Sequence, residues 1–130
     1  MKKFLFILCM FSSVANAEIS CEDAGGKLFK GNDGKTEYCI SFHGMNWWSA
    51  NAWCQALGLE LVDLQTECEK RGASIVATSA CHQLQRGDLP SEAWAKNTSS
   101  SSRALYIYLQ GGGIFAGYKD ALLNALCLIK

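Results

Sequence analysis

The apolar and polar positions from residue 46 to residue 58 have the spacing of an amphipathic helix. They predict a helix from Trp47 to Leu57 that begins at Asn46 and ends at Gly58, residue types typical of those two ends. Its apolar face consists of Trp47, Ala50, Cys54 and Leu57. No charged residue occurs at positions 44–59, so we expect the rest of the protein to cover much of this helix.

Two further elements flank this helix in the sequence. The stretch from Lys27 to Phe42 predicts a β-hairpin, because Asp33-Gly34 supplies residues that tolerate positive φ in a tight turn. After the helix, Leu59–Leu64 predicts a short extended piece that leads into a polar helix near Thr66–Arg71, with Thr66 and Glu69 at capping-box spacing.

The last third of the chain has the two-residue period of β-strands. Apolar or aromatic runs separated by glycine or serine predict strands at Trp94–Lys96, Ala104–Gln110, Ile114–Tyr118 and Leu126–Lys130. Within the second run, Tyr106 and Tyr108 should point to one face, and Leu105, Ile107 and Leu109 to the other. The expected fold class is therefore α+β, with an N-terminal hairpin, two helices and a small antiparallel sheet.

The N-terminus has the pattern of a secretory signal peptide. Lys2 and Lys3 precede an apolar run from Phe4 to Phe11, and small residues follow at positions 15–17. We therefore expect residues 1–17 to be removed and residues 18–130 to form a single secreted or periplasmic domain. Leu8 stands before Cys9 where a lipoprotein signal has a small residue, which disfavours a lipid anchor. No later stretch is long and apolar enough to predict a membrane span.

Export would place the remaining cysteines in an oxidising compartment, where thiols form disulfides. Of 7 cysteines, Cys9 belongs to the signal, and the others form an even set that fits three disulfides in any of several pairings. That set is Cys21, Cys39, Cys54, Cys68, Cys81 and Cys127. Once Lys2 and Lys3 are excluded from the 12 basic residues, the 12 acidic residues leave residues 18–130 with a net charge of −2. We therefore expect no nucleic-acid partner.

The spacing Trp47-x-x-Ala50-x-x-x-Cys54-x-x-x-Gly58-x-x-Leu61, followed much later by Cys127, resembles the first-helix signature and last-strand cysteine of the C-type lectin-like fold. The C-terminal third is similar to compact C-type lectin-like proteins secreted by bacteria, through Ala93-Trp94-Ala-Lys-Asn97, Tyr106-x-Tyr108-Leu-x-Gly111 and Asn124-Ala-Leu-Cys127. The resemblance covers nearly all of residues 18–130. It implies the disulfides Cys21–Cys39, Cys54–Cys127 and Cys68–Cys81.

The sequence departs from this family where sugar-binding members hold calcium. Those members carry a Glu-Pro-Asn or Gln-Pro-Asp tripeptide and a Trp-Asn-Asp tripeptide, whose oxygens ligate the ion, and neither tripeptide occurs here. The stretch Asn97–Arg103 contains no carboxylate, although calcium sites usually need several. We expect no cofactor or metal, and binding that does not depend on calcium.

Motifs for catalysis are sparse. Cys81-His82 has two interpretations: a nucleophile beside a base or part of a zinc site, or a disulfide cysteine next to a surface histidine. We favour the disulfide because of the expected compartment. A hydrolase or redox enzyme would need a free thiol, so the prediction is that the protein is not an enzyme.

Aromatic residues are the better functional candidates, because rings provide large, rigid contact areas for sugars or proteins. Trp94 fits either a binding surface or a core position. Tyr106 and Tyr108 fit either an exposed sheet face or one covered by the helices, with Tyr118 on the same side. Asn97-Thr98-Ser99 also matches the acceptor pattern for N-glycosylation. The candidate contact surface consists of Trp94, Lys96, Asn97, Arg103, Tyr106, Tyr108, Tyr118 and Lys119.

The leading hypothesis is a secreted, non-catalytic recognition or adhesion module that binds an extracellular protein or glycan without calcium. The alternative is a structural subunit of a surface or appendage assembly. Low net charge and many apolar residues would suit contacts between such subunits.

Overall fold

The computed structural model describes residues 19–68, 80–89 and 92–129 of the chain. Within these ranges the predicted α+β class is confirmed, and the expected signal peptide at residues 1–17 lies outside them. The elements in chain order are β1 (Gly26–Lys30), β2 (Glu37–Ser41), α1 (Trp47–Ala56), β3 (Glu60–Leu61), α2 (Leu64–Glu67), a 3₁₀ turn (His82–Leu84), β4 (Glu92–Thr98), β5 (Arg103–Tyr108), β6 (Gly113–Tyr118) and β7 (Asn124–Leu128).

The described strands form one mixed sheet in the order β1-β2-β7-β4-β5-β6, and β3 also pairs with β7. Strand β7 does not extend the β4-β5-β6 meander. It inserts between β2 and β4, where it runs antiparallel to β2 and parallel to β4. The prediction of an antiparallel sheet is therefore wrong for the β4–β7 pair, because the last strand returns to the centre instead of adding to the edge.

Both faces of the sheet carry a buried apolar core. On one face, which we call the helix face, Ala50 and Cys54 of α1 pack in a cluster with Trp94 and Cys127. On the opposite face, which we call the far face, the buried cluster includes Leu64 of α2, Leu84 of the 3₁₀ turn and the strand residues Ile107, Ile114 and Leu126. Successive residues of β2, β4 and β7 alternate between the two cores, so both faces of these strands are apolar where they cross the centre of the sheet.

Helix α1 begins and ends as the sequence predicts. The Asn46 side chain accepts a hydrogen bond from the Ser49 backbone N–H at 2.8 Å, and Gly58 adopts a positive φ of 73° just beyond the last turn. Only Ala50 and Cys54 of this helix are buried, however, so the expectation of a largely covered helix is wrong. Its exposed residues are Trp48, which is 53% exposed, and the small or uncharged polar residues Ser49, Ala52, Gln55 and Ala56.

Helix α2 differs from its prediction. It spans Leu64–Glu67, and its first turn is capped by Asp63, whose Oδ1 accepts from the Gln65 N–H at 3.0 Å. Thr66 therefore lies inside the helix and is not its cap, because burial of Leu64 in the far-face core fixes an earlier start. The predicted continuation from Glu69 to Arg71 lies outside the described residues.

Three disulfides join these elements, with the same pairings that the sequence resemblance implies. Cys21–Cys39 ties the segment before β1 to β2, Cys54–Cys127 ties α1 to β7, and Cys68–Cys81 ties the end of α2 to the segment before the 3₁₀ turn. Cross-links of this number are compatible with an oxidising compartment.

The turn of the β1–β2 hairpin docks against the segment after Cys81. The Asn32 backbone N–H donates to the Gln83 carbonyl at 2.9 Å, and the Asn32 side chain donates to the Gln85 carbonyl at 3.1 Å. The Arg86 guanidinium donates to the Lys30 carbonyl at 2.9 Å. The hairpin is therefore held at its tip as well as at its open end.

A polar group lies inside the far-face core at Tyr38. Its ring is fully buried, while its hydroxyl donates to the Glu67 carboxylate and accepts from Gln83 Nε2 at 3.1 Å. Burial first, and then the hydrogen bond to Glu67, raise the pKa of Tyr38 above its ordinary value. The neutral hydroxyl is thus the form that the fold stabilises.

A prediction about alkaline stability follows from Tyr38. Its contribution is complete below the ordinary tyrosine pKa of about 10 and is lost as the pH rises through the raised pKa of the folded state. We expect Tyr38→Phe to lower the free energy of unfolding by about 1–2 kcal/mol near neutral pH, because the variant lacks the hydrogen bonds of the Tyr38 hydroxyl. In urea titrations above pH ~10, the difference between Tyr38→Phe and the wild-type protein should shrink. The exposed Tyr108→Phe is the control, and a difference that stays constant with pH would contradict the prediction.

A second prediction concerns the disulfides. In the chain-entropy model, Cys54–Cys127, with a sequence separation of 73, contributes about 4 kcal/mol of unfolding free energy. Cys21–Cys39, with a separation of 18, contributes about 3 kcal/mol. We expect the double replacement Cys54→Ala/Cys127→Ala to destabilise more than Cys21→Ala/Cys39→Ala, as measured by the urea midpoint. The opposite order would show that the hairpin disulfide stabilises the fold by more than loop closure.

Candidate functional site

Three aromatic side chains lie side by side on the helix face of β5 and β6, the last two strands in the order of the described sheet. In the strand register, Tyr106 stands between Trp94 of β4 and Phe115 of β6, and Tyr108 is two residues further along β5. Tyr106 is half-buried, whereas Tyr108 is 37% exposed and Phe115 44% exposed. We call Tyr106, Tyr108 and Phe115 the aromatic platform.

The platform is anchored at its inner end by a buried ring. Trp94 is fully buried, and its indole N–H donates to the Met45 carbonyl at 2.9 Å. Its ring meets Tyr106 edge-on, with centroids 6.0 Å apart, and Tyr106 stacks on Phe115 with centroids 5.7 Å apart. The row of rings therefore runs continuously from the core to the β6 edge of the described sheet.

Each platform ring leans over a glycine. A Cβ atom built on Gly117 would lie 3.0 Å from Tyr106 Cε1, and one built on Gly113 would lie 3.2 Å from Phe115 Cε2. A Cβ atom on Gly111 would lie 3.3 Å from Tyr108 Cδ2. The rings thus occupy space that a side chain would fill, and they rest against the backbone instead of standing free in solvent.

Of the predicted contact residues, only Tyr106 and Tyr108 belong to this platform. The interpretation of Trp94 as a surface residue is wrong, because the helix-face core encloses its ring. Asn97 is likewise occupied within the fold. Its Oδ1 accepts from the Leu64 N–H at 2.8 Å, and its Nδ2 donates to Asp63 Oδ1 at 2.9 Å, so it helps to hold the start of α2.

Lys119 also differs from its expected place on the contact surface. Its residue is only 7% exposed, and its ammonium lies 4.5 Å from the centroid of the Trp47 ring and 5.8 Å from that of Trp48. A backbone hydrogen bond joins the same two residues, since the Trp47 N–H donates to the Lys119 carbonyl at 2.8 Å. Lys119 therefore fastens the start of α1 to the end of β6 by a cation–π contact.

Arg103 and Tyr118 form a separate exposed pair. They face each other in the β5–β6 register and share the far face with Ile107 and Ile114, so the expectation that Tyr118 accompanies the other tyrosines is wrong. The Arg103 guanidinium lies 4.3 Å from the centroid of the Tyr118 ring and donates to its hydroxyl at 2.8 Å. Lys96 lies elsewhere, with its ammonium 3.8 Å from Glu60 of β3.

Two residues of this face, Phe115 and Glu92, are absent from the contact surface predicted from the sequence. The register pairs Phe115 with Tyr106 and Glu92 with Tyr108, so all four share the helix face. Strict alternation along β6 puts Tyr118 on the same face as the core residue Ile114 and Phe115 on the other face. Glu92 lies outside the predicted strand, which began two residues later.

Comparison of the chain with protein-family models and with curated protein sequences finds no match. Across residues 19–68, 80–89 and 92–129, no helix combines the length and apolar character that crossing a membrane requires. In the same ranges, no three His, Cys, Asp or Glu side chains are grouped so that they could hold a metal ion.

The glycine contacts lead to a prediction about the platform's shape. We expect Gly117→Ala to displace the Tyr106 ring and to lower the free energy of unfolding by about 1–3 kcal/mol, the usual cost of overpacking. Gly87→Ala is the matched control, because a Cβ there has no neighbour within 4 Å, and its effect should stay within about 0.5 kcal/mol. Urea unfolding and near-ultraviolet circular dichroism measure both effects, and equal stability of the two variants would contradict the prediction.

Proposed function

We propose that this protein is a secreted, non-catalytic recognition module that binds an extracellular protein or glycan through the aromatic platform, independently of calcium. The observation that carries the proposal is the set of three partly exposed rings, each resting over a glycine of the same sheet region. Such rings offer contact area that is already ordered before a ligand arrives. Binding then costs little additional conformational entropy.

The support for a recognition role is the combination of rigidity and exposure. Tyr106 is stacked between Trp94 and Phe115, so its orientation is set by ring contacts on both sides. Phe115, at the edge of the row, keeps nearly half of its surface in contact with solvent. Aromatic residues are enriched at protein interfaces, and tyrosine is among the residues that most often dominate their binding free energy.

We further propose that the domain is a compact member of the C-type lectin-like family. In support, the disulfide Cys54–Cys127 joins the first helix to the last strand, and Cys21–Cys39 braces the N-terminal hairpin. The proposal of calcium independence is supported by the 97–103 segment, which has no carboxylate, and by the structural use of Asn97. All six cysteines of residues 18–130 are in disulfides, which speaks against a thiol enzyme.

The alternative of a structural subunit keeps one specific observation in its favour. Phe42 and Leu122 are large, exposed apolar residues outside the platform. They lie in the segments that lead to Met45 and Leu123, which form an isolated β-bridge. A subunit of an assembly would bury such residues against its neighbours. In that case, Phe42→Ala and Leu122→Ala would dissociate a complex in size-exclusion chromatography, while changes in the platform would not.

The test of the proposed function is a binding screen against arrayed glycans and extracellular proteins, with and without a calcium chelator. We expect at least one ligand whose binding survives chelation and weakens about tenfold in Phe115→Ala, a loss typical of an interface hot spot. Tyr118→Ala is the matched control, since it removes an exposed ring from the opposite face of the sheet. Loss of binding on chelation would contradict calcium independence. Loss of binding in Tyr118→Ala alone would show that the binding site lies on the far face.

A further inference from the structure

The platform carries a carboxylate at its side. The β4–β5 register places Glu92 directly opposite Tyr108, two residues along the strands from the Trp94–Tyr106 pair and on the same face. Directly opposed residues share a sheet face, with Cβ atoms about 4.5–5.5 Å apart. Burial first, and then the negative charge of Glu92, raise the pKa of Tyr106, so the charge also acts on the neighbouring ring.

This carboxylate has no cationic partner in the part of the chain that the structure describes. The ion pairs there are Arg86–Asp88 and Lys96–Glu60, and neither involves Glu92. Glu92 is nevertheless half-buried, and the register places it next to Tyr108. A carboxylate in such a position gains more from a bound cation than one in open water does.

The same chain contains a complete example of the arrangement that the platform presents in part. The Arg86 guanidinium lies 5.6 Å from the centroid of the Phe29 ring, and its Nε and Nη2 atoms donate to the two Asp88 oxygens at 3.1 and 3.0 Å. That site combines a ring, a carboxylate and a guanidinium. The platform has the rings and the carboxylate of Glu92, and the guanidinium is the component that a partner would supply.

We propose that the aromatic platform and Glu92 together bind an arginine side chain of a protein partner. This inference rests on the proposed function, because it assigns the ligand chemistry of the same surface. Arginine fits better than lysine, since a planar guanidinium stacks on a ring while its N–H groups pair with both carboxylate oxygens. The negative charge of Glu92 beside the platform also favours a positively charged group at that point of the partner.

The test uses the oxidised protein and blocked tripeptides of the form Gly-Xaa-Gly, in which Xaa is arginine, lysine or citrulline. Citrulline keeps the shape of arginine without its charge. We expect the arginine peptide to shift the ring resonances of Tyr106, Tyr108 and Phe115 in NMR titrations, and the citrulline peptide to bind about tenfold more weakly. Glu92→Gln should lower the affinity for the arginine peptide by a similar factor.

Glu37→Gln is the matched control, because it removes an identical, exposed charge from β2, which the sheet order separates from β5 by two strands. Equal affinity for the arginine and citrulline peptides, or equal effects of Glu92→Gln and Glu37→Gln, would overturn the inference. If another ligand still requires Phe115 while the arginine peptide does not bind, the proposed function stands and only the arginine assignment fails. If no ligand requires Phe115, both fail.

Discussion

The disulfide between Cys54 and Cys127 joins the two elements on which the rest of the structure depends. Strand β7 pairs with β2, β3 and β4, so in the described sheet the hydrogen-bonded ladder connects the N-terminal hairpin to the β4-β5-β6 meander through β7. Helix α1 covers the same strand on the helix face. Because Trp94 pairs with Ala125 of β7, this cross-link also fixes the inner end of the row of rings that reaches the exposed edge.

Local patterns predicted most elements of the fold, because those elements are specified by neighbouring residues. The Asn46 cap, the Gly58 stop and the alternation of Tyr106 and Tyr108 with Ile107 each depend on a few consecutive positions. The parallel pairing of β4 with β7 could not be predicted in this way. It depends on where the last strand inserts, and that position is decided by contacts between residues distant in sequence.

The candidate site was predicted only in part, for a similar reason. Tyr106 and Tyr108 were identified because one strand's alternation suffices for them. Alternation within β6 puts Tyr118 on the face of Ile114, and the register across the β5–β6 hairpin shows that this face is not the one that carries Tyr106 and Tyr108. Asn97 and Lys119 look like surface residues in the sequence. Their partners, the start of α2 and the ring of Trp47, are 30 or more residues away, and only the folded chain brings them together.

The glycines beneath the platform determine the shape of its surface, whereas the rings determine which chemical groups it presents. Gly113 and Gly117 leave room for the rings of Phe115 and Tyr106 because glycine has no side chain. Any other residue at these positions would add volume under a ring and change the shape of the surface. The ring positions are less constrained, since exchanging Phe115 for tyrosine would add a hydroxyl at the rim while leaving the backbone contact unchanged. A different ring at position 115 would therefore change the chemistry of this surface without changing the backbone beneath it.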